Sequence, residues 1–317
     1  MDTPPRTPPI GTPTIRWLHE GSYEKRNERR QRLGGDTMTP ERRAELFTRT
    51  GRPRHNTVEV WAGASRIEGS PLVVLVTGLK GSSNSKTGDM VQSYIVRSDM
   101  DPLEALRTGA DTAMCGGCIH KAESYDGKTW SGRSCYVRVD TAPLGIYRAR
   151  DRGNVPRVTL SELSELTRGR MVRLGTYGDP ASVPLKVWDA YTAHATGWTG
   201  YTHQSANKRL RDVLKYCQVS ADSPGDSLAS RASGIGSFRV LAHGESALPF
   251  EMVCPASEEA GKVATCATCK ACSGLDGANV VIQSHGIGKG HHSPTRRRAL
   301  ILPVLNPARV HHHQIGR

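Results

Sequence analysis

The chain has 317 residues, eight of them cysteine, and carries 43 Lys and Arg against 30 Asp and Glu, a formal charge of +13. That length suffices to bury one large barrel-like core or two smaller ones. No apolar run approaches the roughly 18 residues of a membrane helix, and the opening MDTPPRTPPIGTP lacks the charged-then-apolar order of a signal peptide, so a cytoplasmic protein without a membrane partner is expected.

Residues 1–55 are rich in Pro, Arg and Gly and lack apolar periodicity, which predicts a disordered basic segment apart from a short helix over 40–50. Basic runs at 24–32, 48–55 and 294–299 carry much of the charge and suit phosphate backbones without sequence preference. The ordered part is expected to begin at VEVWAG and to fill 56–290, with a basic tail over 291–317 that ends near three consecutive histidines.

Within 56–290 the run PLVVLVTG (71–78) reads as a strand buried on both faces, and MVQSYIV (90–96) as another. From residue 158 onward strands and helices alternate. MVRLGTYGDP precedes a helix expected over 181–197, and WTGYTHQ precedes SANKRLRDVL, also expected to be helical. KYCQVSAD precedes SPGDSLASRASG, and SFRVLA, EMVCPAS and NVVIQSHG follow. Repeats of this kind predict an α/β fold with a parallel sheet, here a (β/α) TIM-like barrel, complete or distorted, with a late Cys-rich metal-binding insertion.

In that fold chemistry gathers at the C-terminal strand ends, which here are polar: Tyr177, Gly178 and Asp179; Tyr201, Thr202, His203 and Gln204; Ser220 and Asp222; His243; Cys254; His285. Asp179 before Pro180 also suits a helix N-cap, as does Asp222 before the helix after it. The loop VTGLKGSSNSKTGDM resembles a phosphate-binding P-loop, but the Walker spacing needs glycine where Lys80 and Ser85 stand. It is read as a polar loop whose Lys80, Lys86 and amides can meet phosphate.

Reduced compartments make clustered cysteines metal ligands rather than disulfides. Cys254, Cys266, Cys269 and Cys272 fall within 19 residues, and their two-residue gaps suit a tetrahedral zinc site in which His285 can replace Cys254. Cys115, Cys118, His120 and Cys135 form the other group, for which two readings stay open: a closed Cys3His zinc site, or a [4Fe–4S] cluster on the three cysteines with one open iron. The radical S-adenosylmethionine pattern C-x3-C-x2-C is absent. Cys217, alone in LKYCQV, is expected to be a buried core thiol.

The stretches TGLKGSSNSKTGDMVQ, CGGCIHK, RLGTYGDPASVP, GWTGYTHQ and CPASEEAGKVATC resemble a family of proteins carried by phages, many of actinobacterial hosts. The likeness spans about residues 75–286 and implies a host-cell cytoplasm, but no activity. A more distant similarity is to tRNA-guanine transglycosylases and the phage enzymes that place 7-deazaguanines in DNA, which are (β/α) barrels with a late Cys3His zinc subdomain. Cys266, Cys269, Cys272 and His285 are similar to that zinc set, although its pattern begins C-x-C and its histidine lies farther on.

What this similarity implies is a metal-containing transferase that exchanges guanine for a 7-deazaguanine supplied by a modified-base donor, with DNA ahead of RNA as the substrate. Asp179 and Asp222 would be its nucleophile and acid/base, Tyr177 or Tyr201 would stack on the extruded base, His203 and Gln204 would read its edge, and Lys86 would meet phosphate. Two alternatives stand beside it: an iron–sulfur enzyme related to those that use S-adenosylmethionine, and a zinc-stapled nucleic-acid-binding protein without activity.

Overall fold

The computed structural model describes residues 38–274, 277–286 and 289–292. Residues 1–37, most of the expected C-terminal tail and its three consecutive histidines lie outside the described residues. The fold is mixed α/β with parallel sheet segments, and no helix among the described residues is long and apolar enough to cross a membrane.

The segment up to residue 55, expected to be disordered apart from a short helix over 40–50, has that helix and is packed from its first described residues. Thr39 caps α1 (Pro40–Leu46), Leu46 and Phe47 are buried, and Arg42 reaches Glu162 at 2.6 Å. Glu162 in turn closes the capping box of α5 (Leu160–Leu166) with Thr159, so one carboxylate ties the early helix to the body.

β1 (Thr57–Ala64), β2 (Pro71–Thr77) and β3 (Met90–Arg97) form an antiparallel meander. The buried Glu59 of β1 is neutralised by Arg150 and Arg157. After β3 come α2 (Pro102–Thr108), α3 (Thr112–Cys115), a small hairpin of β4 (Ser124–Tyr125) and β5 (Trp130–Ser131), and α4 (Ala142–Asp151). The chain then re-enters the sheet at β6 (Met171–Tyr177), parallel to β3.

β7 (Gly197–Thr199) and β8 (Tyr201–Thr202) are one extended run that serves two sheets. β7 ends the order β1-β2-β3-β6-β7, and β8 begins the all-parallel order β8-β9-β10-β12-β11. Its other members are β9 (Gln218–Ala221), β10 (Ser237–Leu241), β11 (Met252–Val253) and β12 (Val280–Gln283), with α7 (Pro224–Ala232) and α8 (Cys266–Cys269) between them. The two runs meet at Gly200, where a Cβ would lie 2.8 Å from Cys217 Sγ.

Two helices expected from sequence are shorter than anticipated. The one over 181–197 is broken into a turn at Pro180–Ser182 and α6 (Leu185–Thr192), because Pro184 has no N–H to continue the ladder. Gly197, expected to close that helix, opens β7, while Val187, Trp188 and Tyr191 are buried as their spacing predicts. SANKRLRDVL gives turns and a 3-10 stretch at Arg211–Lys215, and the Asn207 side chain takes the Arg209 N–H at 3.0 Å, diverting the backbone from a helix. Cys217 is fully buried as expected.

Candidate metal centre

The C-terminal ends of the parallel strands and the loops after β3 and β11 enclose a cavity of about 200 Å³. Seven of the eight cysteines line it, every one except Cys217. They come as two groups, three before β6 and four after β10.

The first group is assembled by the loop after β3. Asp111 O accepts from Cys115 N at 2.9 Å, closing α3, and the chain then reverses at Gly116 in the left-handed region. The amide of Gln204 fills the space over Gly116 that a side chain would occupy. Cys135 returns because the His120 carbonyl accepts from both Ser134 N and Cys135 N, at 3.2 and 3.0 Å. The intervening hairpin carries a stacked Tyr125–Trp130 pair with ring centroids 4.2 Å apart. Cys115, Cys118 and Cys135 act electrostatically on one another, and burial pushes the Cys115 and Cys135 thiols up.

The second group is held by the polar loop that resembled a P-loop. Lys86 O and Thr87 O accept from Cys266 N and Ala267 N, both at 3.0 Å. Gly88 has φ +69°, and a Cβ there would lie 2.8 Å from Thr265 Oγ1, so only glycine permits this approach. Lys270, in the left-handed region at the end of α8, turns the chain back toward Cys272. From beneath, Gln218 donates to Ala278 O at 2.6 Å. Cys254 at the end of β11 is fixed by its N–H to Val281 O at 2.8 Å. Burial raises the Cys254 thiol as well, and that of Cys272 to about 12.

Each group has its own tyrosine. Burial raises the Tyr177 hydroxyl, and Cys115 and Cys135 act on it; it has no hydrogen-bond partner among the described residues. Tyr201 bonds Cys272 and packs against Phe238 in a tilted pair with ring centroids 4.5 Å apart. The tyrosines expected to stack on a base thus face the cysteines.

Asp179 is buried, with Oδ1 accepting from Ala181 N at 2.9 Å and Oδ2 from His203 N at 2.8 Å. Burial raises its pKa against these bonds. The carboxylate therefore joins the end of β6 to the end of β8. Two glycines allow that strand end: Gly175 at φ +61°, where a Cβ would strike Gly178 O, and Gly178 at φ +85°, where it would strike Ile95.

His203 Nε2 lies 3.2 Å from Asp222 Oδ1, close enough for charge attraction but not aligned as a hydrogen bond. Burial works to lower the His203 pKa, yet Cys118 and Asp222 carry it well above the ordinary value. With His120, whose Nδ1 meets Ser134 Oγ at 2.8 Å, these residues form a group whose donor atoms lie within 4.8 Å of one another, the one such group of three among the described residues. No three sulfurs are that close.

His285 faces Lys86, with Nε2 at 3.4 Å from Nζ and Nδ1 at 3.1 Å from Gln283 O. Gln204 lies behind the cavity wall, and His243 is exposed; neither lines the cavity.

Sequence reasoning passed over Arg173, the one basic residue in MVRLGTY. It lines the cavity, donates to Tyr136 OH at 2.5 Å and leaves its Nε without a partner among the described residues. A lone cation in an otherwise apolar strand was the signal available. The same signal marks Arg239, fully buried in β10 and paired with Glu245 and Glu251.

Compared with family models, curated proteins and solved structures, the chain matches none.

Proposed function

We propose that this protein is an iron–sulfur enzyme that holds a [4Fe–4S] cluster on Cys115, Cys118 and Cys135 and performs reductive chemistry in the shared cavity. The observation that carries this reading is the placement of Cys115, Cys118 and Cys135 together on the wall of the shared cavity, in the loop after the first parallel strand. Three thiolates leave one iron for a chelating co-substrate, which the cluster supplies with an electron for its cleavage, the use made of S-adenosylmethionine by related chemistry. The spacing here, C-x2-C-x16-C, differs from the usual pattern of those enzymes, and the Ser134 and Cys135 bonds to His120 supply by folding what close spacing supplies elsewhere. The two sheets, joined through β7 and β8, are read as one distorted barrel-like wall.

The chain's own residues have definable tasks. Asp179 holds the backbone of His203, and His203 with Asp222 offers a charged pair beside Cys118 that can hold or move a proton. Tyr177, with an unpaired hydroxyl beside Cys115, offers a donor toward the thiolates. Tyr177, Tyr201, Phe238 and Val240 give the cavity an apolar wall. The +13 charge supports nucleic acid, DNA first, as the partner or substrate.

Base exchange by two aspartates is supported less. Asp179 spends both oxygens on backbone N–H groups, which suits a positioning group rather than a nucleophile. The test is incubation of anaerobically purified protein with dithionite and S-adenosylmethionine: release of 5′-deoxyadenosine supports the proposal. Colourless, iron-free protein that changes the mass of guanine-containing DNA only when given a 7-deazaguanine would replace it with base exchange.

A further inference from the structure

We infer that Cys254, Cys266, Cys269 and Cys272 hold a second iron–sulfur cluster, closed by four thiolates and flanked by Lys86 and Arg173 as counter-charges, in place of the single zinc ion their spacing suggests. The inference deepens the reading above and rests on it only for the shared cavity; its ligands and charges are separate.

Spacing suits the cluster. A tetrahedral zinc with Zn–S bonds of about 2.3 Å brings its sulfurs to about 3.8 Å from one another. Here the four thiols act on one another electrostatically, yet among the described residues no three cysteine sulfurs lie within 4.8 Å of one another. A cubane gives each thiolate its own iron and so needs the wider set.

The ligand count agrees. His285, which could complete a Cys3His zinc site, has its ring between Lys86 Nζ and Gln283 O, leaving the four cysteines as the full set. A centre so capped has no open coordination position, which suits exchange of single electrons rather than substrate binding.

The surrounding charge suits an anionic centre. Four thiolates on either kind of centre leave a net negative charge, and two cations stand against it. Cys254 is the leading anion acting on Lys86, and Cys266 the leading thiol acting on Arg173. Neither cation makes an ion pair within 4.0 Å among the described residues, and Arg173 Nε is unsatisfied. Both cations are partly buried, and a charge held out of water is costly unless an anion is close. With the Tyr201 bond to Cys272, they would also raise the potential of the cluster.

The experiment is iron and zinc analysis of the anaerobically reconstituted full chain, with low-temperature EPR after reduction. About eight iron atoms per chain and no stoichiometric zinc support the inference, and Cys266→Ser/Cys269→Ser should reduce the iron by about half while keeping the signal of the first cluster. In a Cys115→Ser/Cys118→Ser chain, Lys86→Met and Arg173→Gln should each lower the midpoint potential of the remaining signal. About four iron atoms with one zinc in the wild-type chain overturns the inference and leaves the proposed function standing; absence of iron overturns both. Because the metal ratio is read on the wild-type chain, the test holds even where a variant does not fold.

Discussion

The carboxylate of Asp179, just after β6, accepts the backbone N–H of His203, just after β8, at 2.8 Å and so links the ends of strands from the two sheets. Its other oxygen takes Ala181 N, so a single buried side chain closes the turn after β6 and sets the start of the loop that carries His203 to Asp222. Asp179→Asn replaces one acceptor with a donor that confronts an N–H. The expected result is a loss of about 1–3 kcal/mol of stability, measured as a lower urea midpoint, with iron content retained. Unchanged stability with abolished turnover would instead mark Asp179 as the reacting group.

The Arg239 network predicts an acid-sensitive core. Glu251 bonds Arg239, Ser227 Oγ and Leu248 N; burial works to raise its pKa, but these partners hold it below the usual value. A depressed carboxylate contributes stability that is fully present above its unfolded value, near about 4.3, and is lost as pH falls through the lower folded value. Glu59, held down by Arg150 and Arg157, acts in the same sense. The contribution of these two carboxylates to the urea midpoint should therefore be flat above about pH 5 and fall below about pH 4. Glu251→Gln should cost about 3–5 kcal/mol at neutral pH, because it leaves a buried guanidinium short of an anion, and should flatten the acid limb.

Gly88 offers a selective lesion. Its positive φ and the closeness of Thr265 mean that Gly88→Val strains the backbone and pushes the Lys86–Thr87 carbonyls off α8. Metal at Cys254, Cys266, Cys269 and Cys272 should fall by about half or more while the first group keeps its content, read by elemental analysis. Equal loss from both groups would show that the loop does not act through α8.

Removal of metal should loosen the two cysteine loops before the sheets. The loops owe their course to a few backbone bonds such as those of His120 O and Lys86 O, whereas β2, β3 and β6 are buried in apolar contact. Chelation under mild oxidation is expected to lower Tm and open the loops to protease, with far-UV circular dichroism little changed. Collapse of the far-UV signal would mean that the metals hold the sheets too.

Much of this arrangement was legible in the chain. The continuous apolar run of β2 and the alternation after residue 158 gave the α/β class, and polar residues at strand ends pointed to the cavity. All cysteines nominated as ligands line it. What escaped were features set by distant partners. Residues 38–55 looked too basic to order, yet Arg42 finds Glu162, 120 positions away. The location of Asp179 at a strand end was visible, and its two backbone partners were not. The cysteine spacing pointed to a metal, but local gaps do not report the distance between sulfurs once the chain has folded.

The most direct test of the central claim is low-temperature EPR of the dithionite-reduced protein with and without S-adenosylmethionine. The account predicts a cubane signal from the Cys115, Cys118 and Cys135 centre whose g-values shift when the co-substrate is added, a shift that disappears in Cys118→Ser. A protein that carries zinc and no iron, or a cluster signal indifferent to S-adenosylmethionine, would contradict it.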